Sequence, residues 1–347
     1  MNRFIAALTI FIFALPAFSQ EKSEDSTSFK DVVQTFLGLD QPKIGFIGQA
    51  AGEISYDGNN TTSAFTIRLL RFYLSGTAGE HFAYVYQGDM NGTYNLLDLK
   101  LSYIFNNQFR IDAGKFKTPF GVEYLTNDAK IHFVKRSTVA STIGTFRQYG
   151  IQGQGSLFEK RLMLTLGAFN GDTTLNNKKF LFIGKALTIP IKKDELLPDL
   201  QFEAGGSIAY TTDRYDLQSY PFYKNNHILF EVNTKVTYER YWLDGEYYAA
   251  TSNRNKTQDG FYIDLGDKIN SEWEIIGRFD WSAKYLKKVY QDYSWDWILV
   301  KDISRKFMFG INYYPLKNLK LQLDYERDQT LKTNSGWLNC QYAVNFE

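Results

Sequence analysis

Leu319-Lys320-Leu321-Gln322-Leu323-Asp324-Tyr325-Glu326 is a strand with two unlike faces. Every odd position is apolar or aromatic and every even one is polar or charged. Side chains along a strand point alternately to opposite faces, so one face is greasy and the other wet. The same alternation recurs upstream. Leu97, Leu99, Leu101, Tyr103 and Phe105 interleave with Asp98, Lys100 and Ser102. Phe109, Ile111 and Ala113 interleave with Arg110 and Asp112, and Trp273, Ile275, Phe279 and Trp281 with Glu274, Arg278 and Asp280. Sixteen such stretches are read between 43–56 and 335–346, each about the 9–11 residues that cross a bilayer at a tilt. Within 64–78 the alternation changes phase near Leu70, which predicts a bulge there.

A soluble sandwich would alternate too. The polar face here carries many Lys, Arg, Asp and Glu, which suits a water-filled lumen better than a protein surface. In lipid every backbone group must be bonded internally, so a spanning sheet has to close. The expected fold is therefore all-β, a transmembrane antiparallel barrel of about sixteen strands over 43–347. Asn106-Asn107, Phe158-Glu159-Lys160 and Pro315-Leu316 read as tight hairpins. Longer links are expected at 117–146, 213–226 and 285–302, on the outer side if barrel asymmetry holds.

Composition agrees. Phe (28) and Tyr (24) are abundant and Pro (7) is scarce, as lipid-facing strands with aromatic girdles require. Met1-Asn2-Arg3 is a short basic start, Phe4 to Leu15 an apolar run, and Ala17-Phe18-Ser19 offers small residues to a signal peptidase. Residues 1–19 are read as a secretory signal peptide, and 20–42 as a periplasmic segment, either with a short amphipathic helix at 29–39 or as a loose tail. Without Arg3 the 39 basic residues become 38 against 38 acidic. This balance gives no support for a nucleic-acid partner. A single cysteine, Cys340, and scattered histidines at 81, 132 and 227 suggest no disulfide framework and no metal site. No cofactor is expected. Leu338, Cys340, Tyr342, Val344 and Phe346 share one face of the last strand. Outer-membrane barrels typically finish on such an aromatic-tipped strand, so Phe346 is read as a signal to the barrel-assembly machinery, and the location as the outer membrane of a Gram-negative cell.

Ile111-Asp112-Ala113-Gly114-Lys115-Phe116-Lys117-Thr118-Pro119-Phe120-Gly121 resembles a segment of the phosphate-selective porins of the O and P type. Trp273 to Asp280 and Gly310 to Tyr325 are similar to later strands of that family. The resemblance implies a sixteen-stranded passive channel narrowed by an inward loop, assembled as a homotrimer and passing small anionic solutes such as phosphate. One family feature is missing. The inward faces mix Arg68, Lys100, Arg110, Lys185, Lys235, Arg278 and Lys320 with eight carboxylates, and no ladder of arginines stands out.

The longest early link is biased in charge. Lys115, Lys117, Lys130, Lys135, Arg136 and Arg147 face only Glu123 and Asp128, so the segment nets 6 − 2 = +4. Folded inward, it would favour anions. Arg68, Arg71 and Arg110 join it as expected pore-lining residues. Two other readings stand beside the channel: a structural or secretion-associated barrel with a closed lumen, and a barrel enzyme such as a phospholipase. No serine lies beside His81, His132 or His227 in a recognisable catalytic motif, and G-x-S-x-G, P-loop and H-E-x-x-H are all missing, so no catalytic residue is assigned.

Overall fold

The computed structural model describes residues 40–171, 180–211, 227–252, 255–288 and 298–345. The chain divides into Met1–Pro42 and Lys43–Glu347. The signal peptide, the 29–39 helix, the 213–226 link and Phe346 lie outside the described residues.

Sixteen antiparallel strands close on themselves. They are β1 (Asp40–Tyr56), β2 (Thr61–Ala78), β3 (Phe82–Asp89), β4 (Asn95–Asn106), β5 (Phe109–Lys117), β6 (Arg147–Leu157), β7 (Leu162–Phe169) and β8 (Leu181–Ile191). The circuit continues with β9 (Gln201–Thr211), β10 (His227–Tyr238), β11 (Tyr241–Ser252), β12 (Asn255–Lys268), β13 (Trp273–Lys288), β14 (Ile298–Leu316), β15 (Leu319–Asp328) and β16 (Thr333–Val344). β16 pairs with β1 from Val344↔Phe46 to Asn334↔Tyr56, which removes both sheet edges.

Burial is inverted relative to a soluble protein. On β15, Lys320, Gln322 and Asp324 are at most 5% exposed, whereas Leu323 and Tyr325 are 55% and 45% exposed. Leu101, Leu166, Val232, Leu265, Phe309 and Leu338 point outward in the same way. Cys340 shares that outer face. An apolar outside is stable only against hydrocarbon, so this is a transmembrane barrel.

Local irregularities have identifiable causes. Arg68 and Arg71, three residues apart, both reach groups inside the lumen, so β2 changes phase between them, at the predicted break near Leu70. The hairpin expected at Pro315-Leu316 is displaced. β14 runs on to Leu316, its register shifts between Tyr313 and Leu316, and the turn falls on Lys317-Asn318. Pro315 has no N–H to give the ladder, so the pairing slips there. Both ends of the long link expected at 285–302 are strand, because β13 and β14 stay paired out to Lys288↔Ile298; 289–297 lie outside the described residues.

Candidate functional site: an eyelet beside the inward loop

The β5–β6 connection (118–146) folds into the barrel. Its base is clasped by Thr118, whose N–H and hydroxyl both donate to Phe146 O at 2.9 and 2.8 Å. Thr118 and Thr145 hydroxyls also bond each other. Two glycines shape the entry. A Cβ on Gly114, at φ +130°, would lie 2.0 Å from Leu99 O, and one on Gly121, at φ +73°, would lie 2.3 Å from the Tyr248 hydroxyl. Only glycine tolerates both the backbone and the contact. These positions bracket the motif read from sequence.

Beyond Gly121 the loop is tied to the wall mainly through its own backbone. Glu246 on β11 accepts from Val122 N at 2.7 Å and Glu123 N at 2.5 Å. Asp280 on β13 accepts from Thr138 N, and Asp324 on β15 from Val134 N, both at 2.6 Å. Loop carbonyls accept in turn. Ile131 O accepts a hydrogen bond from Lys320 Nζ at 2.6 Å, and His132 O one from Gln322 Nε2 at 2.9 Å. Arg278 joins loop to wall, with its guanidinium 2.6 Å from both Glu123 and Asp264. A short helix α1 (Thr138–Thr142), capped by Ser137, carries Val139 and Ala140 into an apolar seat with Phe120, Ile143, Phe169, Leu181 and Leu229. Burying that cluster anchors the loop as a soluble core would, at about 25 cal/mol per Å².

The loop therefore packs mainly against β9 to β16, with its apolar seat reaching Phe169 on β7 and Leu181 on β8. Between it and β3 to β8 lies a cavity of about 460 Å³. Its charged lining is Lys100, Lys117, Arg147 and Lys185 against Asp98 and Asp128, a net of 4 − 2 = +2. Burial would raise the Asp128 carboxyl, but Arg71, Arg136 and Lys117 outweigh it and hold the group down to about 2. Burial pushes the His132 imidazole below its usual range despite the Glu274 carboxylate 3.9 Å away. The ring stacks on Trp242 with centroids 3.8 Å apart.

The nine cations singled out in the sequence fall in different places. Lys117 and Arg147 line the eyelet. Arg147 Nε stands 2.9 Å from Asp98 Oδ1. Arg71 and Arg136 stand behind it, both paired with Asp128. Arg68 Nη2 donates to Val134 O at 2.9 Å and so supports the loop. Lys135 lies 3.4 Å from Glu53 and 4.0 Å from the centre of the Trp337 ring. Lys130 is exposed. Arg110, 3.6 Å from Asp112, sits at the opposite end of β5 from the loop. Lys115 is not in the lumen. Register sets it beside Leu99 and Tyr149 on the outer face, where Nζ donates to Leu96 O at 2.6 Å. The expected free +4 is thus largely neutralised, by wall carboxylates as well as the loop's own. Lys100 and Lys185 were read only as part of the mixed wall. Parity along β4 and β8 marks them as inward, but their meeting at the height of the loop depends on register across five strands.

Known structures share this architecture. OmpT of Vibrio cholerae, in its trimer form, superposes with a TM-score of 0.60 at 13% identity, over 88% of this chain and 100% of that one. OmpF of Salmonella typhi, in complex with daunomycin, gives 0.61 at 12% identity over 87% and 97%. An anion-selective porin from Comamonas acidovorans gives 0.59 at 11% identity over 88% and 99%. At such identities the likeness is one of fold. No curated protein sequence matches the chain. The family model described as phosphate-selective porin O and P matches residues 49–186, from β1 into β8, and so takes in Ile111–Gly121, the segment that carried the resemblance.

Proposed function

We propose that this chain is an outer-membrane porin, a water-filled channel for passive diffusion of small solutes with a preference for anions. The observation that carries the reading is the eyelet: an inverted barrel whose loop, among the described residues, leaves a cavity lined by four cations and two carboxylates. The comparison with an anion-selective porin of the same fold supports it. The family match keeps phosphate among the solutes to be tried. Residues 1–19 serve as the export signal, 20–42 lie in the periplasm, and Phe346 addresses the assembly machinery. The trimer form of OmpT supports a homotrimer. A channel needs no catalytic group, so neither an enzyme nor a cofactor enters the proposal.

The test is the reversal potential of the purified protein in a planar bilayer under a potassium chloride gradient. A potential of anionic sign is expected. The densely anchored loop favours one rival, a barrel with a closed lumen, and inserted protein without conductance would establish that rival instead.

A further inference from the structure

We propose that the eyelet favours organic anions with an apolar body, such as short-chain carboxylates, over inorganic phosphate. The inference rests on the porin reading above and names the solute class of that site.

The first support is how the cations are engaged. Lys117 Nζ donates to Tyr124 O at 2.8 Å and Thr126 O at 3.2 Å. Arg147 spends Nε and Nη2 on Asp98 at 2.9 and 3.2 Å, and reaches Gln87 at 3.4 Å. Lys185 donates to Gly121 O, and Lys100 Nζ lies 4.0 Å from Asp112. Such cations provide a positive field while much of their donor capacity is used. Phosphate holds its water tightly, and losing that shell without replacement donors is costly. A carboxylate has only one small charged end to satisfy.

The second support is what stands beside the cations. Val85, Phe116, Leu125, Met163 and Leu187 share the lining with them. Met163 and Leu187 face each other across the β7–β8 ladder, and Thr165 and Lys185 do so one step along the same face. Two residues along a strand span about 7 Å, so an anion held at Lys185 lays a short hydrocarbon chain on the Met163–Leu187 pair. Lys100 repeats the arrangement, with Nζ 6.0 Å from the centre of the Phe116 ring. Apolar contact beside a charge favours a methylene and gives phosphate nothing.

The experiment uses the full chain in planar bilayers. Bi-ionic reversal potentials are recorded with potassium chloride, phosphate, acetate, butanoate and hexanoate at about pH 6, where carboxylates are ionised. Permeability relative to phosphate should rise along the carboxylate series by about twofold per methylene, as half-burial of a CH₂ group gives. In free water mobility runs the other way, so the sign alone discriminates. Met163→Gln with Leu187→Gln should flatten the series. A series that falls with chain length while chloride stays preferred over potassium would overturn this proposal and leave the porin reading standing. A preference for potassium over chloride would instead remove the anion reading beneath it. The wild-type series decides the matter even if the double variant fails to insert.

Discussion

Replacing Lys100 and Lys185 together by glutamine takes the charged lining of the eyelet from +2 to zero. A sphere of 460 Å³ has a radius of about 5 Å, so a wall charge sits roughly 6 Å from a passing ion. In a water-like dielectric one unit charge at that distance is worth about 0.7 kcal/mol. Screening over a Debye length of about 10 Å at 0.1 M reduces this to about 0.4 kcal/mol. That factor raises anion occupancy about twofold and halves cation occupancy, a fourfold change in their ratio per charge. Two net charges give an anion-to-cation permeability ratio of roughly fifteen at 0.1 M, falling to about two at 1 M where screening is strong. The double variant should bring the ratio to about one at both salt concentrations. The assay is the reversal potential under potassium chloride gradients centred on each concentration. An unchanged ratio in the variant, or a wild-type ratio insensitive to salt, would refute the assignment of selectivity to this eyelet.

Gly121→Val puts a branched side chain where a Cβ already meets the Tyr248 hydroxyl at 2.3 Å. The loop should leave its seat, seen as larger single-channel conductance with the ion preference turned towards cations in a correctly heat-modifiable barrel. Arg278→Met leaves Asp264 and Glu123 as buried, unpaired carboxylates. A loss of about 3–5 kcal/mol is expected, read as a lowered unfolding midpoint in denaturant. The Asp128 carboxyl is held down to about 2 by Arg71 and Arg136 against its burial. A depressed group contributes stability above its unfolded value of about 3.9 and loses it only as pH falls through the folded one. Conductance should therefore not respond to Asp128 between pH 7 and about 4. Asp128→Asn should abolish whatever part of an acid transition near pH 2 belongs to this carboxyl.

The barrel was legible because its signal is local. A period of two needs only neighbouring residues, and Leu319 to Glu326 displays it without reference to the rest of the chain. The loop's inward path left a weaker trace, in Gly114 and Gly121 flanking a run of aromatic and basic residues. Its anchors were not legible. Glu246, Asp280 and Asp324 look alike on their strands, and only register determines which carboxylate meets which loop amide. Lys115 shows a different failure. Its parity with Ile111 and Ala113 already sets it on the outer face, but a charge count over a segment ignores parity. Arg110 is turned inward by its parity, but its height, at the end of β5 away from the loop, is not visible in the alternation.

A chain balanced in charge overall reaches a local excess of cations by dividing its lumen. On β11 to β15 the carboxylates serve as acceptors for the loop: Glu246 takes two amides and Asp280 and Asp324 one each, while Asp264 of the wall and Glu123 of the loop neutralise Arg278. These charges are buried. Docking the loop on that wall leaves β3 to β8 facing water, where Lys100, Lys117, Arg147 and Lys185 outnumber Asp98 and Asp128. The acidic half of the lumen is therefore structural and the basic half is exposed to solute. Field at the eyelet depends on which wall the loop covers, and the total charge of barrel or loop does not report it. On that reasoning a variant that frees the loop uncovers carboxylates as well as widening the path, so Gly121→Val should turn the preference towards cations rather than only diluting it.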